Sequence, residues 1–167
     1  AYIVGVEPSC LLTLRDEYPD LIVGEDTRRL ADSAFLLEEF LVHLKAKGEL
    51  DLALRERPGR ALFHGHCHQK SLVGSGPSLE ALRLVPGLDV EEISSGCCGM
   101  AGSFGYRKDN YDISLKIGEL KLFPAIRKRG AQTHVIANGV SCRQQIGHGT
   151  GRKALHLAEI LADALEG

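Results

Sequence analysis

Four short segments rich in apolar and β-branched residues, at positions 2–6, 61–64, 90–93 and 134–137, are separated by stretches with helical patterning. This alternation constrains the fold more than any other feature. Strands linked through helices form right-handed crossovers and hence a mainly parallel sheet. The expected class is α/β, a mainly parallel sheet with flanking helices. The clearest helix places Leu30, Ala34, Leu37, Leu41 and Leu44 at helical spacing, with Asp26 or Thr27 at its start and Lys45, Lys47 and Gly48 at its end. Another spans 78–84 and is stopped by Pro86-Gly87. A third begins near Asn110 and aligns Ile113, Ile117 and Leu120 on one face, until Pro124 kinks it or starts a new turn. The last, over 157–165, should bury Leu157, Ile160, Leu161 and Leu165. No low-complexity segment and no short repeat stands out.

The cysteines fall at telling places in this layout. Cys10, Cys67, the adjacent Cys97 and Cys98, and Cys142 each follow shortly after an expected strand. In a parallel sheet the carboxyl ends of all strands share one edge, where such folds place their ligand crevices. The cysteines are therefore expected on loops at the C-terminal ends of the strands, converging on one rim.

Composition excludes several classes of function. A net charge of -2 argues against a nucleic-acid surface, which needs a basic excess. No apolar run approaches the ~20 residues of a membrane-spanning helix, and no secretion signal is visible. The expectation is a cytoplasmic location, or one peripheral to the inner face of a membrane. With 167 residues, 44% hydrophobic and 25% charged, the chain has the make-up of one globular domain. It opens on a strand-like segment and its one methionine is Met100, so residues 1–167 are expected to be a piece of a longer protein.

Five cysteines are an odd number, and in a reducing compartment clustered cysteines bind metal or do chemistry more often than they form bridges. Thiolates suit iron–sulfur clusters, zinc or Cu(I). Adjacent cysteines fit a multi-iron cluster better than a single tetrahedral zinc, whose ligands usually come in Cys-x-x-Cys pairs. The segment Gly99-Met100-Ala101-Gly102-Ser103-Phe104-Gly105 can bring backbone N–H groups close to an anionic cluster, which makes Gly99 and Gly102 candidate cofactor-binding positions. From the residues alone, three alternatives stay open. One is a structural zinc on Cys67, Cys142, one of the vicinal pair and His66. Another is a thiol–disulfide catalyst using Cys97 and Cys98. The third is a docking domain whose cysteines are remnants.

The stretches Glu7-Pro8-Ser9-Cys10, His64-Gly65-His66-Cys67-His68-Gln69-Lys70, Ser95-Gly96-Cys97-Cys98-Gly99-Met100-Ala101-Gly102 and Asn138-Gly139-Val140-Ser141-Cys142-Arg143 resemble the CCG cysteine-rich domain. That domain occurs in the B subunit of heterodisulfide reductase and in the iron–sulfur subunits of anaerobic glycerol-3-phosphate dehydrogenase and glycolate oxidase. The wording is most similar to the C-terminal module of fused FAD-linked 2-hydroxy-acid oxidases. The resemblance spans nearly the whole chain. It implies a [4Fe–4S]-type cluster, cubane or non-cubane, on Cys67, Cys97, Cys98 and Cys142. It also implies FAD on a missing domain or partner flavoprotein, a donor such as lactate or glycolate, and a quinone or cytochrome as acceptor. The chain would then be the electron-transfer part of an oxidoreductase, inactive alone and holding no catalytic residue of its own. Two departures bear on the cluster. Gln145 stands where the pattern has a fifth cysteine, and Glu7 stands where an N-terminal half-motif ending at Cys10 would have another, which leaves Cys10 an open candidate ligand.

Among other polar residues, His66 is expected to donate to a thiolate, and His64 to belong to an ordinary polar loop. His148 and His156 are weaker candidates. The segment Gly147-His148-Gly149-Thr150-Gly151-Arg152-Lys153 lacks phosphate-loop spacing and reads as a flexible connection, with Arg152 and Lys153 free to meet an anionic partner. The pairs Glu38/Glu39 and Glu91/Glu92 read as solvated charge.

Overall fold

The computed structural model describes residues 1–166; Gly167, which closes the expected domain, lies outside the described residues. In chain order the elements are β1 (Ile3–Gly5), α1 (Pro8–Leu11), α2 (Glu17–Leu21), α3 (Glu25–Ser33), β2 (Ala34–Leu36), α4 (Leu37–Lys47), β3 (Gly59–His64), α5 (Cys67–Leu72), α6 (Gly76–Leu82), β4 (Leu88–Glu92), α7 (Lys108–Leu120), α8 (Leu122–Arg127), β5 (His134–Ala137), α9 (Val140–Thr150), β6 (Ala154–Leu155) and α10 (Leu157–Ala164). The strands form two sheets, β1-β2 and β4-β3-β5-β6, and every pairing within them is parallel. The α/β class and the parallel arrangement agree with the expectation from sequence.

The central strand β3 is buried along Ala61–His64, as expected for a parallel strand covered on both faces. Alternate residues feed two cores. On one side Leu62, Val135 and Ala137 pack with Ile93, Leu122, Phe123, Ile126 and Ile146. On the other, Ala61, Phe63 and Ile136 pack with Leu82, Val85, Leu157 and Leu161.

The long helix expected over 30–44 is instead two helices with a strand between them. Ala34 and Leu36 are buried and pair with Ile3 and Gly5, giving the backbone of β1 a hydrogen-bonding partner that a continuous helix would deny it. Gly48, at φ 70°, closes α4 where the sequence suggested. The face expected to be buried on α7 is also displaced. Ile113 and Leu120 are exposed, while Ser114 and Gly118 face inward, because α7 lies too close to its neighbours to admit larger side chains there. On α10, Leu157 and Leu161 are buried and Ile160 packs against them, but Leu165 falls past the helix end and is exposed.

The structure also contains a repeat that the amino-acid order hides. With α2 and α3 inserted between its first helix and second strand, the unit β1, α1, β2, α4 has the same arrangement as β5, α9, β6, α10, with Ile3 opposite Ala34 in the first and Val135 opposite Ala154 in the second. Ser9-Cys10 and Ser141-Cys142 then occupy matching positions after the first strand of each unit. Each unit's final helix is capped alike, by Glu39 accepting from Leu36 N–H and Glu159 accepting from His156 N–H.

Gly147–Lys153 is not a flexible connection. It completes α9 and turns at Gly151, φ 68°. Arg152 donates to the backbone oxygens of Arg129, Gly130, Ala131 and Thr133, so its guanidinium clips the α8–β5 loop instead of facing a partner. Gly118 and Gly149 flank the fully buried Phe123 ring, where an added Cβ would come within 2.3 and 2.2 Å of ring carbon. The ring has no room to yield to either side. Gly149→Ala, though favourable by about 1 kcal/mol in helix propensity, should therefore destabilise the fold by a net ~1–3 kcal/mol through overpacking, read as a lower urea midpoint.

Candidate functional site

Three strand ends supply the site. β3 runs into Gly65-His66, and α5 begins at Cys67. The loop after β4 carries Cys97 and Cys98. β5 runs into Asn138-Gly139, and α9 presents Cys142 in its first turn. Because β3 lies between β4 and β5 and all three are parallel, these exits emerge together. The sulfur-bearing residues Cys67, Cys97, Cys98 and Cys142 line one cavity of about 200 Å³. Larger hollows exist elsewhere, including one of about 620 Å³ between β4 and α8, but it holds no cysteine.

All five cysteines are free thiols. Cys98 and Cys142 are buried, Cys97 is half-buried, and Cys67 lies at the mouth. Cys10 is exposed on α1 and does not line the cavity, although Ser9 beside it does. The sulfurs interact in pairs. The Cys67–Cys97 hydrogen bond holds Cys97 far below the ordinary thiol range and pushes Cys67 up. The Cys98–Cys142 bond lowers Cys142 to about 5 and raises Cys98, with His64 and His66 assisting Cys142 against the effect of burial. Backbone donors reinforce the loop, Gly99 N–H to Cys97 Sγ at 3.3 Å and Met100 N–H to Cys98 Sγ at 3.5 Å. Within each pair one sulfur is thus the readier to ionise, and the thiolate is the form that binds metal.

The Cys-Cys-Gly turn depends on glycine. Gly99 has φ 101°, and an added Cβ would stand 2.1 Å from the Ser114 backbone oxygen. Ala101 (φ 40°) and Gly102 (φ 64°) continue the left-handed backbone, and both line the cavity. Gln145, where the resemblance would place a fifth cysteine, is not among the residues that line the cavity. Its Nε2 donates to Ser114 O and Oγ at 3.1 and 2.9 Å, while Ser114 Oγ donates to Gly99 O at 2.8 Å. Gln145 therefore braces the wall behind the turn.

His66 lines the cavity, buried, and among the described residues its Nδ1 has no hydrogen-bond partner. His64 is fully buried and more involved than its sequence suggested. Its Nδ1 pairs with Ser95 Oγ at 2.9 Å, its Nε2 has no partner, and one ring nitrogen lies within 4.8 Å of the Cys98 and Cys142 sulfurs. His148 is exposed, and His156 caps α10 and reaches Val6 O at 2.9 Å. Sequence reasoning missed Gly139, whose absent side chain leaves room for His66 at 2.5 Å and Cys142 Sγ at 3.4 Å. It also missed the link from Val140 N–H at the start of α9 to Glu7 Oε2, at 2.9 Å.

One expectation is overturned. Glu38 is not solvated charge but 1% exposed, and its Oε1 accepts from Gln69 Nε2, Ser78 Oγ and Asn138 Nδ2 at 2.7, 2.9 and 2.7 Å. Helical periodicity placed its neighbours Leu37 and Leu41 inward, and that was the only available signal. Its partner Glu39 pairs with Arg15 and caps α4. Glu91 and Glu92 are exposed as expected, bonded to Arg129 and Ser75.

A soft, four-thiol cavity with unpartnered histidine nitrogens fits a thiolate-ligated metal group. Its relatives point to redox enzymes. The chain is 33% identical, over 98% of its length, to the C subunit of anaerobic glycerol-3-phosphate dehydrogenase from Escherichia coli K12, of which it spans 40%. It is 31% identical to the D-2-hydroxyglutarate dehydrogenase of the same organism, spanning 98% of this chain and 15% of that one. It is 27% identical to lactate utilization protein A of Geobacillus thermodenitrificans, over 96% of this chain and 69% of the relative. The chain is similar to parts of oxidoreductases and spans well under half the length of the first two. No family model and no solved structure matches it significantly.

Two expectations follow. Gly99→Ala should cost about 3 kcal/mol in urea unfolding, since neither the positive φ nor the Ser114 carbonyl can relax. Burial raises the Glu38 carboxyl above its ordinary 4.5. The folded state then holds this proton where the unfolded state has lost it, so stability is full below pH 4.5 and falls as pH rises toward the folded value. Glu38→Gln should lack this decline, so the stability difference between variant and wild type should grow with pH across that window.

Proposed function

We propose that Cys67, Cys97, Cys98 and Cys142 hold a [4Fe–4S]-type cluster, cubane or non-cubane, in an electron-transfer domain of an oxidoreductase. What carries this reading is the single cavity lined by four cysteine sulfurs from three strand ends. The cluster would accept and release electrons one at a time. Cys97 and Cys142, the sulfurs whose pKa is lowered within their pairs, would offer the first anionic ligands. Gly99 and Met100 donate backbone hydrogen bonds to the cysteine sulfurs, an arrangement that tunes potential. The bare nitrogen of His66 adds a donor at the wall, and Gly102 keeps the loop open beside it. Cys10, outside the cavity lining, is left out of this ligand set.

Electrons would pass between an FAD site, on another part of the longer protein or on a partner flavoprotein, and a downstream quinone or cytochrome. The names of the relatives support a 2-hydroxy acid such as lactate, or glycerol 3-phosphate, as the ultimate donor. Among the described residues no helix is long and apolar enough to cross a membrane, which accords with a cytoplasmic place or one at the inner membrane face.

A second reading rests on one observation. His64, Cys98 and Cys142 come within 4.8 Å of one another and could hold a single zinc ion. Anaerobic reconstitution with iron and sulfide separates the two. The cluster reading predicts brown protein with matching iron and sulfide content and an EPR signal in one redox state. It also predicts loss of both in Cys98→Ser and Cys142→Ser, and retention in Cys10→Ser. Uptake of zinc without sulfide, or no iron uptake by folded wild type, would contradict it.

A further inference from the structure

Glu38 belongs to α4, in the N-terminal unit, yet its three hydrogen-bond donors all come from the rest of the molecule. Gln69 lies on α5, two positions after Cys67. Asn138 is the first residue beyond β5, in the turn that leads into α9 and Cys142. Ser78 lies on α6 and also touches Gln69 Nε2, at 2.8 Å. One carboxylate oxygen thus joins the segment carrying Cys67 to the segment carrying Cys142. The repeat itself does not call for this group, since the matching position in the second unit is Ala158.

A buried carboxyl is unfavourable to build, and once its donors Gln69, Ser78 and Asn138 are buried with it, an apolar side chain at position 38 alone would leave all three unpaired. What singles Glu38 out is where its partners lie, one on each of two cysteine-bearing segments. Cys67 starts a six-residue helix at an exposed position, with little packing of its own to hold it. Gln69, by contrast, is fully buried, and its grip on Glu38 fixes the helix start in relation to β5.

We propose that Glu38 is a positioning residue of the cysteine site, clamping the Cys67-bearing and Cys142-bearing segments at the spacing a shared metal group requires. This rests on the proposed use of these cysteines as metal ligands, and the test separates the two ideas by using two probes. Iron and sulfide report on the cluster. Co²⁺ added to the iron-free, anaerobic full chain reports on thiolate ligation by its charge-transfer and ligand-field bands.

Glu38→Ala should bind Co²⁺ about 10-fold or more weakly, as outer partners of metal ligands typically do when removed, with altered ligand-field bands at unchanged far-UV circular dichroism. Glu38→Gln keeps an oxygen to accept the same bonds and should restore wild-type affinity and spectrum. If Glu38→Ala fails to fold, Gln69→Ala, which releases the Cys67 side alone, should show the same weakening. Wild-type affinity and spectrum in the folded Glu38→Ala or Gln69→Ala protein would overturn the proposal, as would a Glu38→Gln protein as weak as Glu38→Ala. Wild type that binds Co²⁺ but assembles no iron–sulfide would overturn the cluster reading and leave the clamp standing. Wild type that takes up neither would overturn both.

Discussion

Parallel pairing of β3 with both β4 and β5 is the constraint on which the cysteine site depends. The registers Ala61 opposite Val90 and Ala61 opposite His134 bring three chain exits to one edge, so cysteines distributed from position 67 to 142 meet without long loops. Reversing any one strand would carry its cysteine to the opposite edge, a strand length away. Burial of β3 on both faces fixes the register, because a one-residue slip would exchange Leu62 and Phe63 between the two cores.

The material around that edge is costly to build. Gly99, Ala101 and Gly102 hold a left-handed backbone, and among the described residues Glu38 Oε2, one nitrogen each of His64 and His66, and the amide oxygens of Gln69 and Asn138 lack partners. Such features lower stability; most lie in the segments that carry the cysteines, and Glu38 on α4 is bonded to two of those segments. The opposite side of the sheet, with Phe63, Leu82, Val85 and Leu157, is an ordinary apolar core. The division of labour follows the strands: alternate residues stabilise the sheet, and the chain beyond its carboxyl edge carries the chemistry.

Much of this was legible in the sequence because it rests on local pattern. The four strands and the placement of cysteines after them could be read from β-branched runs and spacing alone. β2 could not, because Ala34-Phe35-Leu36 sits inside a helical periodicity and becomes a strand only through pairing with β1. The inner face of α7 was misjudged for a related reason: close approach to Phe123 and Gly99 selects Gly118 and Ser114, not the larger Ile113 and Leu120. Glu38 was misjudged as solvated because its partners lie up to 100 positions away, and no local rule pairs a helix carboxylate with distant amides. The repeat was hidden because it lies in strand register and helix capping, while the residues differ and α2 and α3 interrupt the first unit. Cys10 illustrates the limit, since it follows a strand as Cys142 does but belongs to the other sheet, and its thiol stays outside the cavity.

The most direct test of the central claim is a crystal structure of the anaerobically reconstituted protein with data collected on both sides of the iron absorption edge. The account predicts anomalous iron density inside the cavity bounded by Cys67, Cys97, Cys98 and Cys142, extended enough for several metal atoms. Iron density elsewhere, or a single compact peak held by His64, Cys98 and Cys142, would contradict it.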